Sequence, residues 1–153
     1  MSDRIRHGNL KKAIKEGHMF QEVAEKCLKQ ARDPFLFDCI NVLTVNAAFA
    51  CEVYLKAICI VERGEFYIGH FLRDQFDMIS NTAQESIKAD FKMNTENTSF
   101  EEALRLNSDA FDEWRYSFEE NPGKKGAIVD IYGLITLMRC LGRYVDELML
   151  EKS

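Results

Sequence analysis

The chain has 153 residues, 46% of them hydrophobic and 29% charged, with a net charge of −5. That length suits a single domain around one core, residues 1–153, and the balance is that of an ordinary soluble globular protein. The acidic excess excludes a protein that binds nucleic acid over its whole surface, though not one with a local basic patch.

Such a patch opens the chain. Arg4, Arg6, Lys11, Lys12 and Lys15 face only Asp3 before Glu16. Two readings stand: a frayed arm over residues 1–9 running into a solvated helix face, or a contact for phosphates. No apolar run of signal-peptide type follows these residues. Further on, Asp38, Glu52 and Lys56 interrupt the longest apolar region, so no membrane span is expected. The five cysteines form no CxxC pair and read as reduced core thiols of a cytoplasmic protein.

Helical period dominates, and no stretch alternates strictly like a half-buried strand. Leu10 to Ala31 carries an apolar face that includes Ile14, Phe20, Val23, Ala24 and Cys27, with some drift around Gly17. Asp33-Pro34 then stops one helix and starts the next, since aspartate is a good N-cap and proline suits the first helical position. From Pro34 to about Glu62 the chain is apolar on most sides. Leu43, Ala47, Ala50, Tyr54 and Ile58 recur at helical spacing, and Val42, Val45, Phe49 and Val53 widen the stripe. A helix this apolar must be central and surrounded. At 1.5 Å per residue it spans about 40 Å, so its neighbours must be long as well.

Arg63-Gly64 breaks that helix. A short helix is expected from about His70 to Ser80, with Phe71, Leu72, Phe76 and Ile79 on one side, and another over Gln84 to Phe91. Thr98 with Glu101, or Ser99 with Glu102, forms a capping box ahead of a helix through Trp114 and Phe118. The last helix runs from about Lys125 to Glu151, with Ile131, Tyr132, Ile135, Met138, Leu141 and Val145 on its core face. The expected fold is all-α: an up-and-down bundle of four long helices plus one or two short ones, joined by short connections.

Few residues offer chemistry. Glu52 and Lys56, at i and i+4 on the most apolar helix, are either a salt bridge or a charged pair facing a cleft or a dimer seam. Arg63 and His70 have the spacing of a pair that could cleave a phosphodiester, the histidine as general acid or base and the arginine stabilising the anionic phosphorane. The plainer reading gives Arg63 to the helix dipole and His70 to a helix start. Trp114 reads as core, and Arg115 beside it either pairs with an acid such as Glu119 or faces a groove. His7 and His18 complete no ligand set, so no metal is expected, nor any cofactor. GxGxxG, P-loop, HExxH and nucleophile-elbow motifs are absent.

Ala50-Cys51-Glu52-Val53-Tyr54-Leu55-Lys56-Ala57, then Gly69-His70-Phe71-Leu72 with Phe76, then Phe111 with Trp114-Arg115-Tyr116 and Phe118, together resemble the HEPN superfamily of helical domains over roughly Leu10 to Leu148. The resemblance implies a bundle that dimerises. In many relatives the dimer joins two Arg-x(4–6)-His motifs into a metal-independent ribonuclease, in toxin–antitoxin, phage-defence and CRISPR systems. Others lack the motif and serve as nucleotide-binding, ligand-binding or scaffolding modules. Here Arg115 is followed by no histidine, and Arg63 to His70 sits too early in the bundle and is followed by Gly64. The resemblance therefore implies a non-catalytic homodimer that binds nucleotide, RNA or a partner protein, with Glu52, Lys56, Arg115 and Tyr116 as binding residues. The alternative is a divergent ribonuclease using Arg63 and His70.

Overall fold

The computed structural model describes residues 5–30, 39–69, 71–96, 98–108 and 130–152. The described residues form six helices and two three-residue strands: β1 (Ile5–His7), α1 (Leu10–Gln30), α2 (Cys39–Arg63), β2 (Glu65–Tyr67), α3 (Leu72–Asp77), α4 (Asn81–Asn94), α5 (Phe100–Asn107) and α6 (Ile131–Lys152). The all-α expectation holds in its coarse form.

Asn9 starts α1: its side-chain oxygen accepts from the Lys12 N–H at 3.1 Å, satisfying one of the donors a helix start leaves free. α1 packs along α2 in the most extensive helix contact of the fold, running antiparallel to it, with Phe20 stacked on Phe49 at 4.9 Å. α2 is the central helix. Leu43, Ala47, Ala50, Tyr54, Leu55 and Ile58 are all buried in the main core. α2 is long and apolar enough to cross a membrane by length and composition, even with Glu52 and Lys56 in it, but 61% of its most apolar stretch is buried inside the protein. The sequence expectation that these charges would remove it from consideration as a span is corrected on that point.

Gly64 ends α2. It takes φ +77°, a conformation side chains disfavour, and its N–H bonds the Ile60 carbonyl at 2.8 Å. The chain then turns into β2, which pairs antiparallel with β1 in the register Ile5↔Tyr67, Arg6↔Phe66, His7↔Glu65. Residues 5–7 are thus tied down as a strand rather than a frayed arm. No alternating pattern announced this, because three residues are too few to show one.

α3 begins at Leu72 rather than His70, and Phe71, expected in its core face, is 47% exposed. Phe71 at the N-cap offers no capping oxygen, so another element does: the Ser108 carbonyl accepts from the Leu72 N–H and its hydroxyl from the Arg73 N–H. Ser80 caps α4 and Ser99 caps α5, each accepting from the N–H three residues on at 3.1 Å. Of the two capping registers the sequence left open, Ser99 with Glu102 is the one used. Phe100 of α5 meets Phe76 of α3 at 4.8 Å and Phe91 of α4 at 5.4 Å, which binds the three short elements into one apolar cluster.

α5 stops at Asn107, well short of the expected Phe118. The Asn107 amide donates to the Ala103 carbonyl and to the Asp130 carbonyl, so its side chain occupies one carbonyl of the last turn and joins it to the residue that caps the next helix. Residues 109–129, including Trp114, lie outside the described residues. Asp130 N-caps α6, its Oδ1 accepting from the Gly133 N–H at 2.9 Å, which sets the helix start later than Lys125. Tyr132, expected on the core face, is 81% exposed, because Leu134 and Leu137 fill the inward side of that turn.

Candidate functional site

Three long helices meet at one tyrosine. Tyr54 of α2 is fully buried, and its ring lies between a glycine of α1 and a glycine of α6. A methyl group at Gly17 would stand 2.5 Å from Tyr54 Cε1, and one at Gly142 would stand 3.4 Å from Cε2 and 2.8 Å from Gln21 Oε1. The irregularity at Gly17 is therefore a seat for the ring.

The tyrosine hydroxyl reaches through to the seam between α1 and α6. Tyr54 Oη donates to Gln21 Oε1 at 2.6 Å and lies 3.0 Å from His18 Nδ1. On its other side the His18 ring offers Nε2 to Asp146 Oδ1 at 3.1 Å. Burial, then the charge of Asp146, then Cys51 push the Tyr54 hydroxyl above the usual phenol range. It therefore stays a protonated donor at neutral pH. The result is a continuous chain from Asp146 through His18 and Tyr54 to Gln21, open to solvent at the histidine, whose side chain is 45% exposed.

Around this chain α1 and α6 run antiparallel and enclose a trough. One part, about 400 Å³, is walled by Glu25 and Arg139, paired at 2.7 Å, and by Arg143, whose guanidinium holds Asp90 of α4 at 2.9 and 3.1 Å. The adjoining part, about 440 Å³, is apolar on the floor, with Ile14, Met19 and Met149, and basic at the rim, with Lys11 and Lys15. His18 and Glu22 line both parts. The trough thus offers an apolar bed, free ammonium groups at one end and paired charges of both signs at the other. That suits binding an elongated or amphipathic ligand better than concentrating one charge for catalysis.

Among the residues singled out from sequence, Glu52 and Lys56 form a salt bridge of 3.0 Å, with side chains 5% and 17% exposed. The Lys56 ammonium lies 5.3 Å from the centre of the Phe66 ring on β2. At 100° per residue both sit roughly 160° around α2 from Tyr54, so they do not open into the trough. Arg63 donates to the carbonyl of Met78, the C-cap of α3, while Glu62 beside it accepts from the Ser80 N–H at 2.9 Å. The two adjacent side chains clasp the α3–α4 joint. His70, Arg115 and Tyr116 lie outside the described residues; among the described residues singled out from sequence, Glu52 and Lys56 are brought together. No cluster of three or more His, Cys, Asp or Glu side chains suited to a metal ion occurs among the described residues.

Sequence reasoning missed His18, Gln21, Tyr54 and Asp146 as a group. The available signal was a pair of mid-helix glycines, Gly17 and Gly142, together with a phenol in the most apolar helix. Each needs a packing or polar explanation. No protein-family model matches the chain, and no curated protein or solved structure matches it at a significant level.

Proposed function

We propose that the chain is a non-catalytic, HEPN-like helical module of the cytoplasm that forms a homodimer and binds nucleotide, RNA or a partner protein in a defence or stress system. The observation that carries this reading is a partly exposed apolar row along the flank of the α1–α2 pair. Val42, Val45, Phe49 and Val53 follow one another at spacings of three and four along α2; Val45 and Phe49 pack partly against the core, and none of the four is fully buried. Val42 is 50% exposed, and Val23 of α1, on the adjoining helix, is 40% exposed. This uncharged row has the spacing of a helix seam and lies on the helix whose composition calls for enclosure. A second copy supplies the matching surface, and the α1–α6 trough remains open for a ligand.

The engagement of Arg63 with the Met78 carbonyl supports a structural rather than a phosphate-binding role for that residue. Light scattering after size exclusion is expected to give a dimer for the wild type and a monomer for Val42→Glu, a change at a half-exposed site that leaves the fold intact. A wild type that stays monomeric at all workable concentrations overturns the dimer. Incubation with RNA in the absence of metal is expected to give no cleavage; cleavage that vanishes in His70→Ala overturns the non-catalytic reading.

A further inference from the structure

The five cysteines fall into two groups. Cys51, Cys59 and Cys140 are buried, and burial pushes all three thiols up, Cys140 to about 12. Cys27 and Cys39 are only partly buried. Of the five expected core thiols, Cys27 is partly buried against the core, and Cys39 is partly buried at the start of α2.

Cys27 lies in the last turns of α1, and Cys39 is the first residue of α2. The antiparallel register set by Phe20 against Phe49 brings these two helix ends together. Within that junction Cys39 Sγ donates to Gln30 Oε1 at 3.4 Å. Gln30 and Cys27 are three residues apart, hence neighbours on one face of α1. Cys39 is thus seated on the side of α1 that carries Cys27, one helical turn away. Burial first, then the nearby Cys39, raise the Cys27 thiol above its ordinary value.

We propose that Cys27 and Cys39 form a reversible disulfide within one chain, a covalent staple at the end of the α1–α2 hairpin where α1 finishes and α2 begins, made by exchange with a low-molecular-weight disulfide. The Cys39 thiol gives its proton to solvent, and its thiolate attacks one sulfur of glutathione disulfide, forming a mixed disulfide and releasing one glutathione thiolate. Cys27 then loses its proton and attacks Cys39 Sγ, forming the Cys27–Cys39 bond and releasing the second. The protein gives up two electrons, and each glutathione thiolate takes up a proton. The buried Cys51 and Cys140 are shielded from the reagent and serve as an internal control.

The test is treatment of the folded full chain with excess glutathione disulfide at mildly alkaline pH, followed by intact mass, thiol titration under denaturing conditions and peptide mapping. The expected product is lighter by two hydrogens. Its titratable thiols fall by two from the five of the sequence. Its Cys27 peptide is joined to its Cys39 peptide, and dithiothreitol reverses the change. Cys27→Ser and Cys39→Ser abolish the product, and Cys140→Ser does not. The oxidised chain melts a few degrees higher, since the bond restricts the unfolded state. Separate glutathione adducts on Cys27 and Cys39 with no bond between them, a covalent dimer through either residue, a Cys51–Cys140 bond, or five unreacted thiols would each overturn the proposal.

Discussion

Replacing Gly17 by alanine tests the three-helix junction most directly, because two effects of opposite sign compete there. In a helix interior alanine is favoured over glycine by about 1 kcal/mol. Against that, the new methyl would lie 2.5 Å from Tyr54 Cε1 and 2.7 Å from Cδ1. Both are ring atoms of a fully buried side chain with Gly142 behind it, so the ring has little room to retreat. Overpacking of this kind costs about 1–3 kcal/mol, and contacts this short belong at the upper end. The net expectation is a loss of roughly 2 kcal/mol, or about 4–8 °C in Tm for a chain of this size. Gly142→Ala is the matched control. Its methyl would press chiefly on Gln21 Oε1 at 2.8 Å, the end of a side chain that can swing away. Loss of the Gln21–Tyr54 hydrogen bond, about 1 kcal/mol, then offsets the helix gain and leaves the variant near neutral. Urea unfolding followed by circular dichroism reads both. A Gly17→Ala protein as stable as the wild type, or no less stable than Gly142→Ala, would refute the account of Tyr54 as a wedged ring.

Glu52→Ala leaves Lys56 in a largely buried position without its carboxylate. Breaking a buried pair costs about 3–5 kcal/mol, and the partial exposure of Lys56 puts this one near or below the lower end; a thermal melt unchanged within error would contradict it. Arg63→Ala removes the cap on the Met78 carbonyl and is expected to cost about 1 kcal/mol in urea unfolding, and a loss several times larger would mean Arg63 does more than hold that joint. The pH dependence has a definite sign. In the unfolded chain thiols ionise near pH 9 and phenols near pH 10, whereas in the fold Cys51, Cys140 and Tyr54 are all raised above those values. The unfolded chain therefore releases these protons first. The stability they contribute is fully present below pH 9 and falls as pH rises toward 12. A melting temperature that holds level from pH 8 to 11 would show that these groups do not titrate as the geometry requires, and Tyr54→Phe is expected to flatten the part of the decline above pH 10.

What the sequence made legible was whatever one helix decides by itself. The apolar period of α2 and the stop at Arg63-Gly64 needed no partner to be read. The Ser99 cap did not either, although only the structure chose between Thr98 and Ser99, whereas the Ser80 cap went unread. The failures sit where one element completes another. Ser108 caps α3 across 35 residues of chain, and β1 exists only because β2 lies beside it. Asn107 ends α5 by reaching toward α6. Arg63, weighed as a catalytic or dipole-bound charge, stands in the last turn of α2 and also closes the end of a different helix. The candidate site is the extreme case, since its chain runs through α1, α2 and α6 and each member is unremarkable alone. His18 is one histidine on a polar face, Asp146 one acid on an amphipathic helix, and Tyr54 one aromatic in a core. The features that single them out are two glycines 125 residues apart, Gly17 and Gly142, whose missing side chains admit the ring. An absence of side chain costs a helix about 1 kcal/mol locally and has a reason only once the third helix is in place. Glycines inside otherwise strong helices are therefore the positions from which polar sites hidden in a bundle can best be sought, ahead of the charged residues that first draw attention.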